Sequence, residues 1–151
     1  MNHKHEEGYE CEACKNGIEA LREKEQALLK NPGWFVHFVF DDEKYPFNTN
    51  FHTHGLLENF NHTDLQICLP APPETSHNIM TNIVEMIKEG KTFEAGKKYP
   101  DILGNDLLIS FLESEEGGRP ILRLICPEKD GTFRGQLVNK QIVGCKNPEL
   151  L

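Results

Sequence analysis

The sequence predicts an α+β domain: a mainly antiparallel sheet of about five to seven strands with two main helices packed against it. Three observations carry this expectation. Residues 47–54 alternate with a period of two. Ile79, Met80, Ile83, Val84 and Ile87 recur at helical spacing. Short turns join consecutive strand-like segments, and short turns enforce antiparallel pairing.

Residues 1–15 read as a polar lead-in that carries histidines and cysteines. A helix follows, with Asn16 as its expected N-cap and Glu19 three residues on as a capping-box partner. Ile18, Leu21 and Leu28 lie on one side of it, and Asn31-Pro32-Gly33 ends it. Residues 34–40 form a strand that is apolar on both faces except at His37, which predicts a central place in the sheet. The next strand, 47–54, sends Phe47, Thr49, Phe51 and Thr53 to one side and Asn48, Asn50, His52 and His54 to the other. Residues 65–69 make a third strand, stopped by Pro70, Pro72 and Pro73. Thr75 or Ser76 then caps a second helix that Gly90 closes. After a short extended piece at 93–99, segments 107–112 and 121–126 read as a hairpin turning at Glu116-Gly117-Gly118, and a last strand is expected at 133–138. The expected organisation is one domain over 16–140 and a tail over 141–151.

Composition narrows the function classes. A chain of 151 residues is long enough to bury roughly 68–70% of its unfolded surface without staples. With 24 acids against 16 bases the net charge is −8, which speaks against nucleic acid and anionic membrane as partners, since both demand basic residues. No apolar stretch approaches a spanning helix, and Met1 to Glu10 is too polar for a signal peptide, so the cytoplasm is the expected compartment. Five cysteines, an odd number, fit free thiols or metal ligands better than a disulfide framework.

Two places could carry chemistry. Cys11-Glu12-Ala13-Cys14 has the spacing of a thiolate pair that closes on one zinc ion, with His3, His5, His52, His54 and Cys145 as the candidates for completing it. A redox role for the pair is weaker, because no strand precedes it. On a strand, His52 and His54 share a face with Asn48 and Asn50, so both imidazoles can address one ion or ligand, unless that face is simply solvated. The candidate ligand-binding residues are His52, His54, Asn50 and Trp34; the candidate metal ligands are Cys11, Cys14, His52 and His54, with zinc as the candidate cofactor. An aromatic pocket lined by Trp34, Phe51, Phe93 and Tyr99 is a third possibility. His37, among large apolar residues, reads as a core histidine, and Arg123 as a solvent-facing or salt-bridging residue. No G-x-S-x-G, P-loop, G-x-G-x-x-G or H-E-x-x-H is present.

The ordered motifs resemble a known family. Cys11-x-x-Cys14, Gly33-Trp34, Asp41-Asp42, His52-Thr53-His54-Gly55-Leu56, Asp64-Leu65-Gln66-Ile67 and Gly90-x-x-Phe93-x-x-Gly96 follow in the order of the bacterial domain-of-unknown-function family 4262. The resemblance runs from about Cys11 to Gly131. Its commonest strand motif is Tyr-Thr-x-Gly-Leu, so Thr53, Gly55 and Leu56 match while His52 replaces the tyrosine. The resemblance implies an outline and no activity. The functional expectation is a non-enzymatic domain that binds a small ligand or a protein, a homodimer being one such pairing, with a Cys/His metal site. The alternative is a zinc-dependent enzyme using His52 and His54 with Cys11 and Cys14.

Overall fold

The computed structural model describes residues 12–151, and side chains from residue 17 onward. It is an α+β fold with a six-stranded sheet in the order β1-β2-β3-β6-β5-β4. The strands are β1 (Phe35–Phe40), β2 (Thr49–His54), β3 (Leu65–Ile67), β4 (Lys98–Tyr99), β5 (Ile109–Glu116) and β6 (Arg119–Ile125); the helices are α1 (Glu12–Lys30), α2 (Leu56–Phe60), α3 (Pro73–Lys88) and α4 (Gln136–Gln141).

Four of the five strand pairs are antiparallel and one, β3 with β6, is parallel. The expected mainly antiparallel sheet is therefore mixed. The parallel pair arises because β3 leads into α3, and the chain crosses over before it returns as β6. Two long helices are present as expected, and two short ones join them.

The sheet is covered on both faces. On one, α3 places Met80, Ile83, Val84 and Ile87 against Phe51, Leu65, Phe111, Leu122 and Leu124. On the other, Leu112 and Ile125 pack against Val138 of α4, with Ile142, Cys145 and Leu151 of the tail around them. Gly117 and Gly118 both take positive φ, 57° and 79°, in the two-residue turn between β5 and β6. That is the backbone a two-residue hairpin needs to match strand twist.

Several expectations give way to tertiary structure. The first helix starts at Glu12 rather than after Asn16. β1 is an edge strand, not a central one. It is apolar on both sides because Val36 and Phe38 join the core cluster, while on the other face Phe35 stacks with His54 and His37 meets the same ring edge-on. The β2 strand starts at Thr49, because Phe47 and Asn48 both adopt left-handed φ near 54°. The strand expected at 133–138 is replaced by α4. Glu128 explains the difference: its carboxylate accepts from the backbone N–H of Leu137 (3.3 Å) and Val138 (2.6 Å), capping that helix from a distance. Among the described residues no helix is long and apolar enough to cross a membrane.

Candidate metal centre

The face of β2 that carries Asn50, His52 and His54 is not solvated. Asn50 and His52 are 3% and 2% exposed. The register explains what they meet. His37 lies directly opposite His52, and Phe35 opposite His54, across the β1–β2 ladder. Alternation then puts His37, His52 and His54 on one face. The His37 ring sits 5.4 Å from that of His52 and 4.5 Å from that of His54, and the His52 and His54 rings are 5.0 Å apart. One ring nitrogen from each histidine falls in a set whose members lie within 4.8 Å of one another.

Acidic groups surround the cluster. Glu25 of α1 bonds His37 Nε2. Glu116 Oε1 lies 3.5 Å from His52 Nε2. Arg119 is the nearby cation, and it is tied to Glu116 (2.9 Å), to Asp64 (3.1 Å) and to the Thr53 carbonyl (2.7 Å). Asp64 in turn accepts from Thr53 Oγ1 at 2.8 Å and the Leu56 backbone at 3.1 Å, which fixes the exit of β2 into α2. Two carboxylates thus hold one guanidinium beside the histidines.

Burial, and then Arg119, hold His54 well below the usual histidine range, at about 4. Burial also lowers His52, against the opposing pull of Glu116. Burial works to raise Glu116, but its hydrogen bond to Arg119 and the nearby His52 outweigh that, and it lies below the usual carboxylate range. At neutral pH the site therefore holds two neutral imidazoles, His52 and His54, beside an ionised carboxylate. Neutral imidazoles are what a transition metal requires. His54 Nε2 is buried and has no hydrogen-bond partner, an arrangement that costs free energy unless something engages the nitrogen. A cleft of about 330 Å³, lined by Leu29, Lys30, Phe35, His54, Gly55 and Glu58, opens onto this ring.

The metal chemistry fits the donors. Three imidazoles with a fourth position open is a recurrent zinc arrangement. Zinc bonds of 2.0–2.1 Å at tetrahedral angles put ligand nitrogens roughly 3.4 Å apart, so small side-chain rotations close the cluster on an ion.

The other expected residues fall elsewhere. Cys11 and the side chain of Cys14 lie outside the described residues, as do His3 and His5. Cys145 packs in the second apolar cluster and takes no part in the histidine cluster. Trp34 is buried in the main core and stacks on His77 at 5.8 Å. Phe51, Phe93 and Tyr99 belong to the same core cluster; Trp34 lines a cleft of about 520 Å³ with Phe35, Val36, Phe38 and His77, and none of the other three expected aromatics lines it. Cys68 and Cys126 are driven up by burial to about 12 and about 11, leaving both protonated and inert. Asn50 does join the site, as the acceptor for His52 Nδ1 at 3.0 Å. His37 is the residue that sequence reasoning placed in the core. Its signal was present: a lone histidine two strand positions from Phe35, on a segment whose partner carries two more. Arg123 was also misplaced; it is 1% exposed and makes no ion pair among the described residues.

One family model matches the chain over residues 28–136, described as Domain of unknown function (DUF4262). The matched span holds His37, His52 and His54, and starts beyond Cys11 and Cys14. No curated protein and no solved structure matches the chain.

Proposed function

The chain belongs to the DUF4262 family, whose function is unknown, and from that premise we propose that it is a metal-binding domain that holds zinc through His37, His52 and His54. The observation that carries this reading is the convergence of one ring nitrogen from each of the three histidines within 4.8 Å, and His54 also holds a buried, unpartnered Nε2. Two supports add to it. The carboxylates of Glu25 and Glu116 offset the positive charge of an ion. Asn50 and Glu25 hold ring nitrogens from behind, as outer partners of metal-bound histidines do. Cys14 sits eleven residues up α1 from Glu25, about 16 Å along the helix axis, so we read the histidine site as complete without the thiols.

We favour a binding role over catalysis, with a small ligand or a protein as partner and the cytoplasm as compartment. A zinc enzyme is the second reading. It is favoured by the cleft that reaches His54 and by Glu116 beside His52, which could accept a proton from a metal-bound water. Isothermal titration of metal-free protein with zinc tests the first reading. Binding of about one equivalent, abolished in His52→Ala and His54→Ala and weakened in His37→Ala, is the expected result. Equal binding in all four proteins would overturn it.

A further inference from the structure

We propose that a buried relay, Arg123 to Gln66 to Asn50 to His52, fixes the proton of His52 on Nδ1 and so leaves the Nε2 lone pair free to bind the ion. This deepens the metal-binding reading and names the groups that position one of its ligands.

The register lays the relay out. His37, His52, Gln66 and Arg123 are directly opposed across β1, β2, β3 and β6, with Leu112 of β5 beyond them. The row ends at a guanidinium that is 1% exposed. Among the described residues no carboxylate lies within ion-pairing distance of Arg123. Its donors go instead to Gln66 Oε1 (2.8 Å), the carbonyls of Gln141 (2.8 Å) and Val143 (2.6 Å), and Ser114 Oγ (3.1 Å). Burying a cation against neutral acceptors is costly. What it supplies is direction.

A guanidinium donates and never accepts. Gln66 must therefore turn its oxygen to Arg123 and its amide NH₂ the other way. That NH₂ donates to Asn50 Oδ1 at 2.7 Å. The atom of Asn50 that faces the relay is thereby an oxygen, and an oxygen only accepts. His52 Nδ1, 3.0 Å from the same Oδ1 and 3.3 Å from the Asn50 carbonyl, has to be the donor. A neutral ring with its proton on Nδ1 carries a lone pair on Nε2. Nε2 faces the Glu116 carboxylate at 3.5 Å. Two acceptors so placed repel each other unless a cation stands between them. The carbonyls of Gln141 and Val143 hold the far end, so the C-terminal segment is tied to the tautomer of a residue on a distant strand.

Nitrogen NMR of the full chain labelled with ¹⁵N-histidine, metal-free and above pH 7, tests the relay. The expected spectrum has a protonated Nδ1 and a pyridine-like Nε2 for His52. Gln66→Glu is nearly isosteric and should invert this. The introduced carboxylate accepts at both oxygens, which forces Asn50 to turn its NH₂ into the relay, facing His52, and moves the ring proton to Nε2. Zinc affinity should then fall by about 10–100-fold. Asn50→Asp, which accepts at both contacts, should keep the wild-type tautomer. A proton on His52 Nε2 in the wild type, a doubly protonated ring, or an unchanged tautomer in Gln66→Glu would overturn the proposal. If Gln66→Glu does not fold, the wild type and Asn50→Asp still decide it. The expected tautomer in a protein that binds no zinc would sustain the relay and refute the metal reading alone.

Discussion

Gly55 joins the end of β2 to α2, one residue after His54, and its replacement by alanine should be among the most damaging small changes in the chain. Its φ is 103° and its ψ −12°, a left-handed conformation that costs a side-chain-bearing residue about 1–2 kcal/mol. An added Cβ would also lie 2.5 Å from the Gly33 carbonyl oxygen, 2.8 Å from Leu29 Cδ2 and 3.1 Å from Trp34 Cα. Two of these three are backbone atoms, which cannot step aside, and overpacking of this kind costs about 1–3 kcal/mol. The sum is about 2–5 kcal/mol, or roughly 5–15 °C in Tm for a domain of this size. Gly118→Ala is the control. It has φ 79° and nothing within 4 Å of the added Cβ, so only the conformational cost remains. Urea unfolding of both variants separates the two contributions, provided the slope is unchanged. If Gly55→Ala lies within about 0.5 kcal/mol of Gly118→Ala, the packing of α1 and the Gly33 turn against the end of β2 is wrong.

Acid should destabilise the metal-free protein through its histidines. His54 falls from 6.5 to about 4 on folding, and His52 falls as well, so the unfolded state binds more protons between those values; the stability is fully present above pH 6.5 and is lost as pH drops toward 4. With the ring partly solvated, His54 accounts for about 1–2 kcal/mol, and a urea midpoint that declines no faster in wild type than in His54→Phe over that window would refute it. Asp64 is 4% exposed and serves Thr53, Leu56 and Arg119; Asp64→Ala should cost about 2–4 kcal/mol by leaving the buried Thr53 hydroxyl and Leu56 N–H without their acceptor, while Glu116 keeps Arg119 paired, and a loss under about 1 kcal/mol in chemical denaturation would contradict that. Glu128→Ala should cost about 1–2 kcal/mol and raise amide exchange at Leu137 and Val138 first; unchanged exchange there would show that the cap does not hold α4.

Much of the fold was legible because it rests on local rules. The stripe of α3, the Gly117-Gly118 turn and the alternation of β2 are all set by residues within a few positions of one another. The errors came where a distant group decides. Glu128 turns residues 136–141 into a helix, and no local pattern announces a cap from eight residues upstream. β1 read as central because both of its faces carry apolar residues, yet those residues are only half-buried against the layers above and below, and its outer edge stays unpaired among the described residues. The site was half legible. The His52 and His54 pair follows from alternation alone. His37 enters only through the β1–β2 register, and Arg123 only through the parallel β3–β6 pair, a contact between residues 57 positions apart.

The metal content of the purified chain tests the central claim most directly. Protein stripped with a chelator, reconstituted with zinc and passed over a desalting column is expected to retain about one zinc per chain by mass spectrometry. The His37→Ala/His52→Ala/His54→Ala variant should retain none while its far-ultraviolet circular dichroism stays that of the folded protein. A wild type that emerges free of zinc, or a triple variant that keeps a full equivalent, would contradict the account.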